Sequence, residues 1–286
     1  MRLTQAKQYL ARWQEAVKLD RVLLRLQRIA FHPFARAINY HAAPQQYLSN
    51  FEMQVKWYAE NFVSVDIRAL EDLHRGIWSD SKPGLIISFD DGLREPYENA
   101  LPILERYGFK AWFFVPVGFV ETPPADQHAF ASGHSITLPA SSRDSRIALS
   151  WEEIRDLEAR GHVVGCHTYS HHRMTAVTPP AQLRHEIIDA KELMEKRLGH
   201  EVSVFCWVGG EESSYSSETA ELIRAAGYRM SFMTNSFVIR PGCNLLQLQR
   251  TNIECDYPLS LVRFQLAGFM DVFSTPKRRR VVQMTA

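Results

Sequence analysis

The sequence is short of several features that would have decided its class at once. It holds four cysteines in 286 residues, Cys166, Cys206, Cys243 and Cys255, and no two stand as C-x-x-C. That spacing argues against a zinc knuckle or a dithiol motif, and a chain this long buries enough apolar surface to fold without disulfide staples. No run approaches the ~18 apolar residues of a membrane span. No apolar segment with a small-residue cleavage site opens the chain, so the expectation is a cytoplasmic protein, at most peripheral to a membrane. Net charge is nearly absent as well. Lys and Arg number 33 and Asp and Glu 32, a balance that argues against a dedicated nucleic-acid binder. Hydrophobic content of 45% and charged content of 23% exclude collagen-like, coiled-coil and wholly disordered chains. No internal repeat is visible.

The neutral total conceals an uneven distribution. Eight basic residues stand against Glu15 and Asp20 in residues 1–36, a net of +6, and Lys277 to Arg280 add +4, which leaves −9 for residues 37–276. Leu3, Ala6, Leu10, Trp13 and Val17 recur at helical spacing, so residues 1–36 read as a basic amphipathic helix. Such a helix either packs its apolar face on the main domain, the commoner fate, or lies on an anionic membrane surface. Residues 276–286 read as a solvated basic tail.

The middle of the chain alternates strand and helix. Ala37–Tyr40, Val63–Val65, Gly84–Phe89, Ala111–Val115, Val163–Gly165, Val204–Trp207, Met230–Met233 and Leu246–Ile253 read as strands. Helices are expected over Phe51–Glu60 (capped by Ser49 or Asn50), Ile67–Arg75, Tyr97–Arg106, Trp151–Ala159, Pro180–Leu198 and Ser217–Ala226. Ser150 and Glu153 form the pattern of a capping box. Residues 121–147 are rich in Pro, Ser, Ala and His and read as one long loop. The rhythm predicts βα units around a mainly parallel sheet or barrel.

In such folds function collects at the carboxyl ends of the strands. Gly84–Phe89 ends in Asp90-Asp91-Gly92. Adjacent carboxylates at a strand end point in different directions, so one can hold a metal while the other faces the reacting group. A later strand ends in His167-Thr168-Tyr169-Ser170-His171-His172. Four-residue spacing puts His167 and His171 on one side of a helical turn, a metal-ligand geometry for which His172 could replace His171. Two His and one Asp leave positions open for water and substrate, and suit zinc or non-haem iron.

Leu85–Gly92 (LIISFDDG) and His167–His171 (HTYSH) resemble the first two motifs of the polysaccharide deacetylase family, also called the NodB-homology domain or carbohydrate esterase family four. The flanks Tyr97–Val115, Leu149–Gly161 and His185–Gly199 agree, as does Asn39-Tyr40-His41, similar to an opening strand motif. The resemblance covers roughly residues 37–255. It implies an α/β fold, a distorted (β/α) barrel of about seven parallel strands, here with an extra N-terminal helix. The corresponding division is 1–36 helix, 37–275 deacetylase domain and 276–286 tail. It further implies Asp91, His167 and His171 as ligands of one divalent metal, zinc foremost with cobalt, nickel or iron as alternatives, and Asp90 as general base.

Two departures stand out. The family's third motif, R-x-P-x-G or Y-P-x-G, falls on Phe205–Gly210, where only Gly210 remains, and Cys206 cannot hold the base aspartate as the Arg of other members does. Trp207 reads equally as a sugar platform or as core. The strand that carries a general-acid His in many members holds Arg250 and no His, as in some members acting on exopolysaccharide. Arg250 would orient a carboxylate, stabilise the oxyanion or form a surface salt bridge. Glu211, Glu212 and His172 are weak candidates for the acid, beside a protonated Asp90. Trp207, Gly210 and Arg250 are thus the expected substrate contacts. The leading expectation is a metal-dependent hydrolase that removes N-acetyl groups from an N-acetylhexosamine-containing polysaccharide or glycan precursor. The alternatives are a deacylase of a small or lipid-linked acetamido or formamido sugar, and a non-catalytic carbohydrate-binding member.

Overall fold

Alternation along each strand dictates a sheet with two differently covered faces. The computed structural model describes residues 19–139 and 146–284. Its strands are β1 (Ala35–Tyr40), β2 (Val63–Ser64), β3 (Gly84–Phe89), β4 (Ala111–Val115), β5 (Val163–Cys166), β6 (Val204–Cys206), β7 (Met230–Met233) and β8 (Leu248–Asn252). Every ladder is parallel. Seven strands close in the order β1-β8-β7-β6-β5-β4-β3, with β3 pairing back to β1, and the two-residue β2 hangs on the start of β3. The expected seven-stranded (β/α) barrel is therefore present.

One parity of side chains fills the barrel and the other meets the helices. Ala37, Ile86, Trp112, Phe114, Val204, Cys206, Phe232 and Leu248 form the inner cluster. Ile38, Tyr40, Ile87, Phe89, Phe113, Val164 and Phe205 belong to the outer one. Trp112 and Phe114 both pack on Phe232 at 5.3 Å between ring centroids and plug the interior. Gly165 is required there. A Cβ at this position would lie 2.9 Å from the Phe114 ring and 3.0 Å from the Val204 carbonyl oxygen.

The helices depart from expectation in instructive places. Trp151–Ala159 forms with its reciprocal Ser150–Glu153 capping box. Helix Leu48–Asn61 starts earlier than expected and has no side-chain cap, because Asn50 instead donates to the carbonyls of Cys255 and Tyr257. The expected helix over Tyr97–Arg106 is two short ones, Arg94–Asn99 and Leu101–Arg106. The expected long loop contains helix Gln127–Gly133, anchored by buried Gln127, whose Oε1 accepts from the Ile147 and Ala148 amides. Among the described residues no helix is long and apolar enough to cross a membrane.

Both ends of the described chain are helical. The apolar stripe read at Leu3–Val17 lies outside the described residues, and helix Leu19–Phe31 follows it. Of the stretch read as a solvated tail, the described residues 276–284 belong to helix Phe269–Met284. Arg278 there donates to the carbonyls of Asn235, Ser236 and Asp271 and sits 4.2 Å above the Phe237 ring, so its charge is spent on the body of the protein. Buried Arg36 on β1 ties the two terminal helices together. Its Nε donates to Gln27, and its two Nη atoms reach Asp271 at 3.2 and 2.6 Å. Asp271→Ala leaves that guanidinium buried and unpaired and should destabilise the fold by about 3–5 kcal/mol in urea unfolding. Replacing both partners with Arg36→Met and Asp271→Leu should cost less.

Candidate active site

The site is assembled at the carboxyl ends of the strands, starting with Asp90. Its parity directs the side chain into the barrel mouth, above the aromatic plug. Arg250 on β8 arrives from the other side of β1 and binds it with both Nη atoms, at 2.6 and 2.9 Å. Arg250 also donates to Ser88 Oγ, which donates to the Ile38 carbonyl, and its guanidinium lies 5.2 Å from the centre of the Phe114 ring. Both partners are nearly inaccessible, Arg250 at 1% and Asp90 at 4%. Burial alone would raise the Asp90 pKa, but the Arg250 charge prevails and holds it below the ordinary carboxylate value. Arg250 is therefore no surface salt bridge, although it also lines the cleft. It supplies from β8 the cation that Cys206 on β6 cannot.

Asp91 turns the other way, with φ of 70° followed by Gly92 at 65°. Its Oδ1 lies 3.0 Å from His171 Nε2 and 3.7 Å from His167 Nε2. The three residues offer ligand atoms within 4.8 Å of one another. The two imidazoles do not meet on a helical turn, as their spacing suggested. They follow β5 in a non-helical loop in which Thr168 and His171 have positive φ, 67° and 56°. Gly118 admits this loop, because a Cβ there would come within 2.9 Å of the Tyr169 carbonyl oxygen.

The hydrogen bonds of the two rings test whether a cation fits. His167 Nδ1 donates to the Cys206 carbonyl at 2.9 Å and His171 Nδ1 to the His134 carbonyl at 2.8 Å. Burial lowers the His167 pKa to about 4, so that ring is neutral and its Nε2 presents a lone pair. A lone pair aimed at a buried carboxylate is unfavourable until a cation stands between them, so the donor set fits a divalent ion. A second group, Asp90, His167 and Cys206, is also close. Asp90 is already committed to Arg250, and burial pushes the Cys206 thiol up.

The loop has its own anchor. Buried Glu186, in the π-helical segment His185–Asp189, accepts from the Tyr169 amide at 3.0 Å, the Ser170 amide at 2.8 Å and Ser170 Oγ at 2.5 Å. No sequence motif singled it out, since a Glu inside a long helix ordinarily faces solvent.

The other expected residues disperse. Trp207 is core at 1% exposure: its indole packs on Tyr215 and donates to Ser231 Oγ, so it offers no face to a sugar. Gly210 is a clearance position, where a Cβ would lie 2.8 Å from the Met233 Cα. His172 and Glu211 line the cleft, Glu211 paired with Arg173, whereas Glu212 pairs with Arg280 and does not line it. Sequence reading passed over His41 as a functional group, although it ends the β1 motif and so stands at a strand end. Its Nδ1 donates to Glu254 at 2.9 Å. Burial alone would lower its pKa. The bond to Glu254 and the charges of Asp90, Asp91 and Glu254 outweigh that and raise it to about 9.

These groups open into one cleft of about 1060 Å³, walled on one side by residues from Gly133 to Pro139. A closed parallel barrel with convergent carboxylates and imidazoles at its strand ends is the architecture of an enzyme. Comparison with known proteins narrows that class. A polysaccharide deacetylase family model matches residues 79–231, more than half of the chain, and the chain belongs to that family of amide hydrolases. YxkH of Bacillus subtilis (strain 168), named for the same family, is 25% identical over 206 residues, 71% of this chain and 63% of its own. The poly-beta-1,6-N-acetyl-D-glucosamine N-deacetylase of Escherichia coli (strain K12) is 25% identical over 230 residues, 70% of this chain and 34% of its own. The chain thus spans less than two thirds of either curated relative. Among solved structures, IcaB from Ammonifex degensii aligns with a TM-score of 0.63 at 21% identity, over 84% of this chain and 98% of that one. It shares the fold.

Glu186→Gln keeps one acceptor and loses the charge. Amide exchange at Tyr169 and Ser170 should then accelerate by about 10–100-fold, the equivalent of one charged hydrogen bond, with the β3 and β4 amides unchanged.

Proposed function

We propose that the protein is a metal-dependent hydrolase that removes the N-acetyl group from an N-acetylhexosamine in a polysaccharide or glycan precursor. The observation that carries this reading is the convergence of Asp91, His167 and His171, with both Nε2 atoms directed at the carboxylate, beside an ionised Asp90 in an open cleft. Asp91, His167 and His171 would hold a divalent ion, zinc foremost, which supplies polarisation of the amide carbonyl and of the attacking water. Asp90 accepts the proton of that water. Although both its oxygens accept from Arg250, each retains lone-pair capacity. Arg250 fixes the carboxylate's direction and keeps it charged. His41, protonated through Glu254, donates a proton to the departing amine, the role sequence reading left among a protonated Asp90, Glu211, Glu212 and His172. Acetate and a free amine result.

A second reading concerns substrate size. Among the described residues the cleft lining carries no Phe, Tyr or Trp. Stacking platforms for a long glycan are therefore missing, which favours a short or carrier-linked amide sugar.

Acetate release from N-acetylated oligosaccharides of increasing length tests both. The expected result is activity lost on chelation and reduced by about 10²–10⁴-fold in Asp90→Asn. Activity that survives both treatments would sink the proposal, and rates that climb steadily with chain length would remove the second reading.

The acid assignment predicts a pH effect. With its pKa raised, His41 stays protonated at neutral pH and loses its proton as pH rises, so kcat should fall on the alkaline side. Glu254→Gln removes the charge that sustains this and should move the alkaline limb down by about one unit or more. An unmoved limb would reject His41 as the donor.

A further inference from the structure

Helix Leu19–Phe31 is docked on the wrong face for an ordinary amphipathic helix. At ~100° per residue, Asp20, Leu24, Gln27 and Phe31 share an arc of about 60°, and Val22, Leu26 and Ile29 share another, roughly opposite. The first arc faces the protein: Asp20 is 3% exposed and Gln27, bound to Arg36, 6%. The second faces outward, with Val22, Leu26 and Ile29 exposed at 52%, 53% and 74%. Arg21, Arg25 and Arg28 fill the sector between the arcs, and Arg21 and Arg25 are exposed. A helix normally buries its apolar stripe and wets its polar one. Here two polar residues are buried, and among the described residues the apolar stripe is exposed beside a row of arginines.

Helix Phe269–Met284 exposes apolar side chains as well. Val272 and Phe273 are 72% and 71% exposed. Their neighbour Asp271 shares the Arg36 guanidinium with Gln27, so Leu26 and Val272 flank one junction. One turn beyond Phe273, Lys277 lines the cleft.

We propose that this face, Val22, Leu26 and Ile29 with Val272 and Phe273, docks on an anionic lipid surface, with the adjacent basic side chains meeting lipid phosphates. Apolar side chains flanked by Arg and Lys are the arrangement of an interfacial helix, and the charge complements an anionic headgroup layer. A second copy of the chain fits less well. The five side chains offer on the order of 600 Å² over two helices, short of the ~800 Å² each partner gives to a stable interface. A two-fold contact would also set arginines against arginines. Docking here sets Lys277, and with it the cleft rim, next to the lipid.

The test is sedimentation of the full chain with vesicles of phosphatidylcholine alone or with ~30% phosphatidylglycerol. The wild type should sediment with the anionic vesicles only, and less at high salt. The combined Val22→Asp, Leu26→Asp and Ile29→Asp variant, and separately Val272→Asp with Phe273→Asp, should each reduce the bound fraction at least tenfold. All these positions are exposed, and an unchanged urea midpoint will confirm folding. Absence of vesicle binding, equal binding to neutral vesicles, or binding that either variant leaves intact overturns the proposal. So does a dimer in light scattering that the variants dissolve while vesicles go unbound. Vesicle binding is measured without turnover, so its failure would leave the deacetylase reading untouched, and the reverse holds as well.

Discussion

The ion pair between Asp90 and Arg250, sealed inside the mouth of the barrel, is the constraint around which the site is arranged. Two charges taken out of water cost several kcal/mol each unless geometry and further hydrogen bonds recover it. Both recoveries are present. The guanidinium meets the carboxylate with two parallel bonds and rests on the face of Phe114, while Ser88 takes a third donor. A lysine could supply the charge but neither the fork nor the flat face. The aromatic plug thus has two functions, filling the lower barrel and supporting the cation that fixes Asp90.

Around that pair the chain accepts local strain. Asp91, Thr168 and His171 all have positive φ, a conformation that costs a non-glycine residue on the order of 1–3 kcal/mol. Such strain persists only where neighbours over-determine it. Here Glu186 draws in the Tyr169 and Ser170 amides, the Val117 and Gly118 amides bind the Thr168 and Tyr169 carbonyls, and the His134 carbonyl holds the His171 ring. The stretch Gly133–Pro139 is therefore part of the site, since the carbonyl that orients His171 comes from it.

What the sequence made legible was local. Strand alternation is a two-residue pattern, and Gly84–Phe89, Ala111–Val115 and Met230–Met233 were readable to the residue. The paired aspartates and the two histidines were readable because they sit at strand ends. Features set by distant partners were not. Arg250 lies 160 residues from Asp90, and only closure of β8 onto β1 brings them together. The spacing of His167 and His171 implied a helical turn, and the loop reaches the same juxtaposition by another backbone path. Trp207 follows a strand end, yet it packs on Tyr215 and is lost to the cleft. The arginine run near the C-terminus looked like a solvated tail because nothing local announces that carbonyls of Asn235 and Ser236 await Arg278. An amphipathic pattern likewise gives the stripe on helix Leu19–Phe31 but not which side docks.

The carboxylates of the cleft each face a basic side chain, and this division separates their protonation behaviour. Asp90 faces Arg250, Asp91 faces the imidazole pair, Glu254 faces His41 and Glu211 faces Arg173. The first pairing lowers a carboxyl pKa and the third raises an imidazole pKa, so both groups are charged at neutral pH, as the proposed hydrolysis requires of its proton acceptor and donor. A carboxylate held below its ordinary value is a weaker base, and in the proposed reaction proton transfer to it is favoured from a water that is already acidified. On that proposal a divalent ion held by Asp91, His167 and His171 would do this. In the proposed reaction the Arg250–Asp90 pair and the metal would therefore be linked, since a base weakened by the first relies on water acidified by the second.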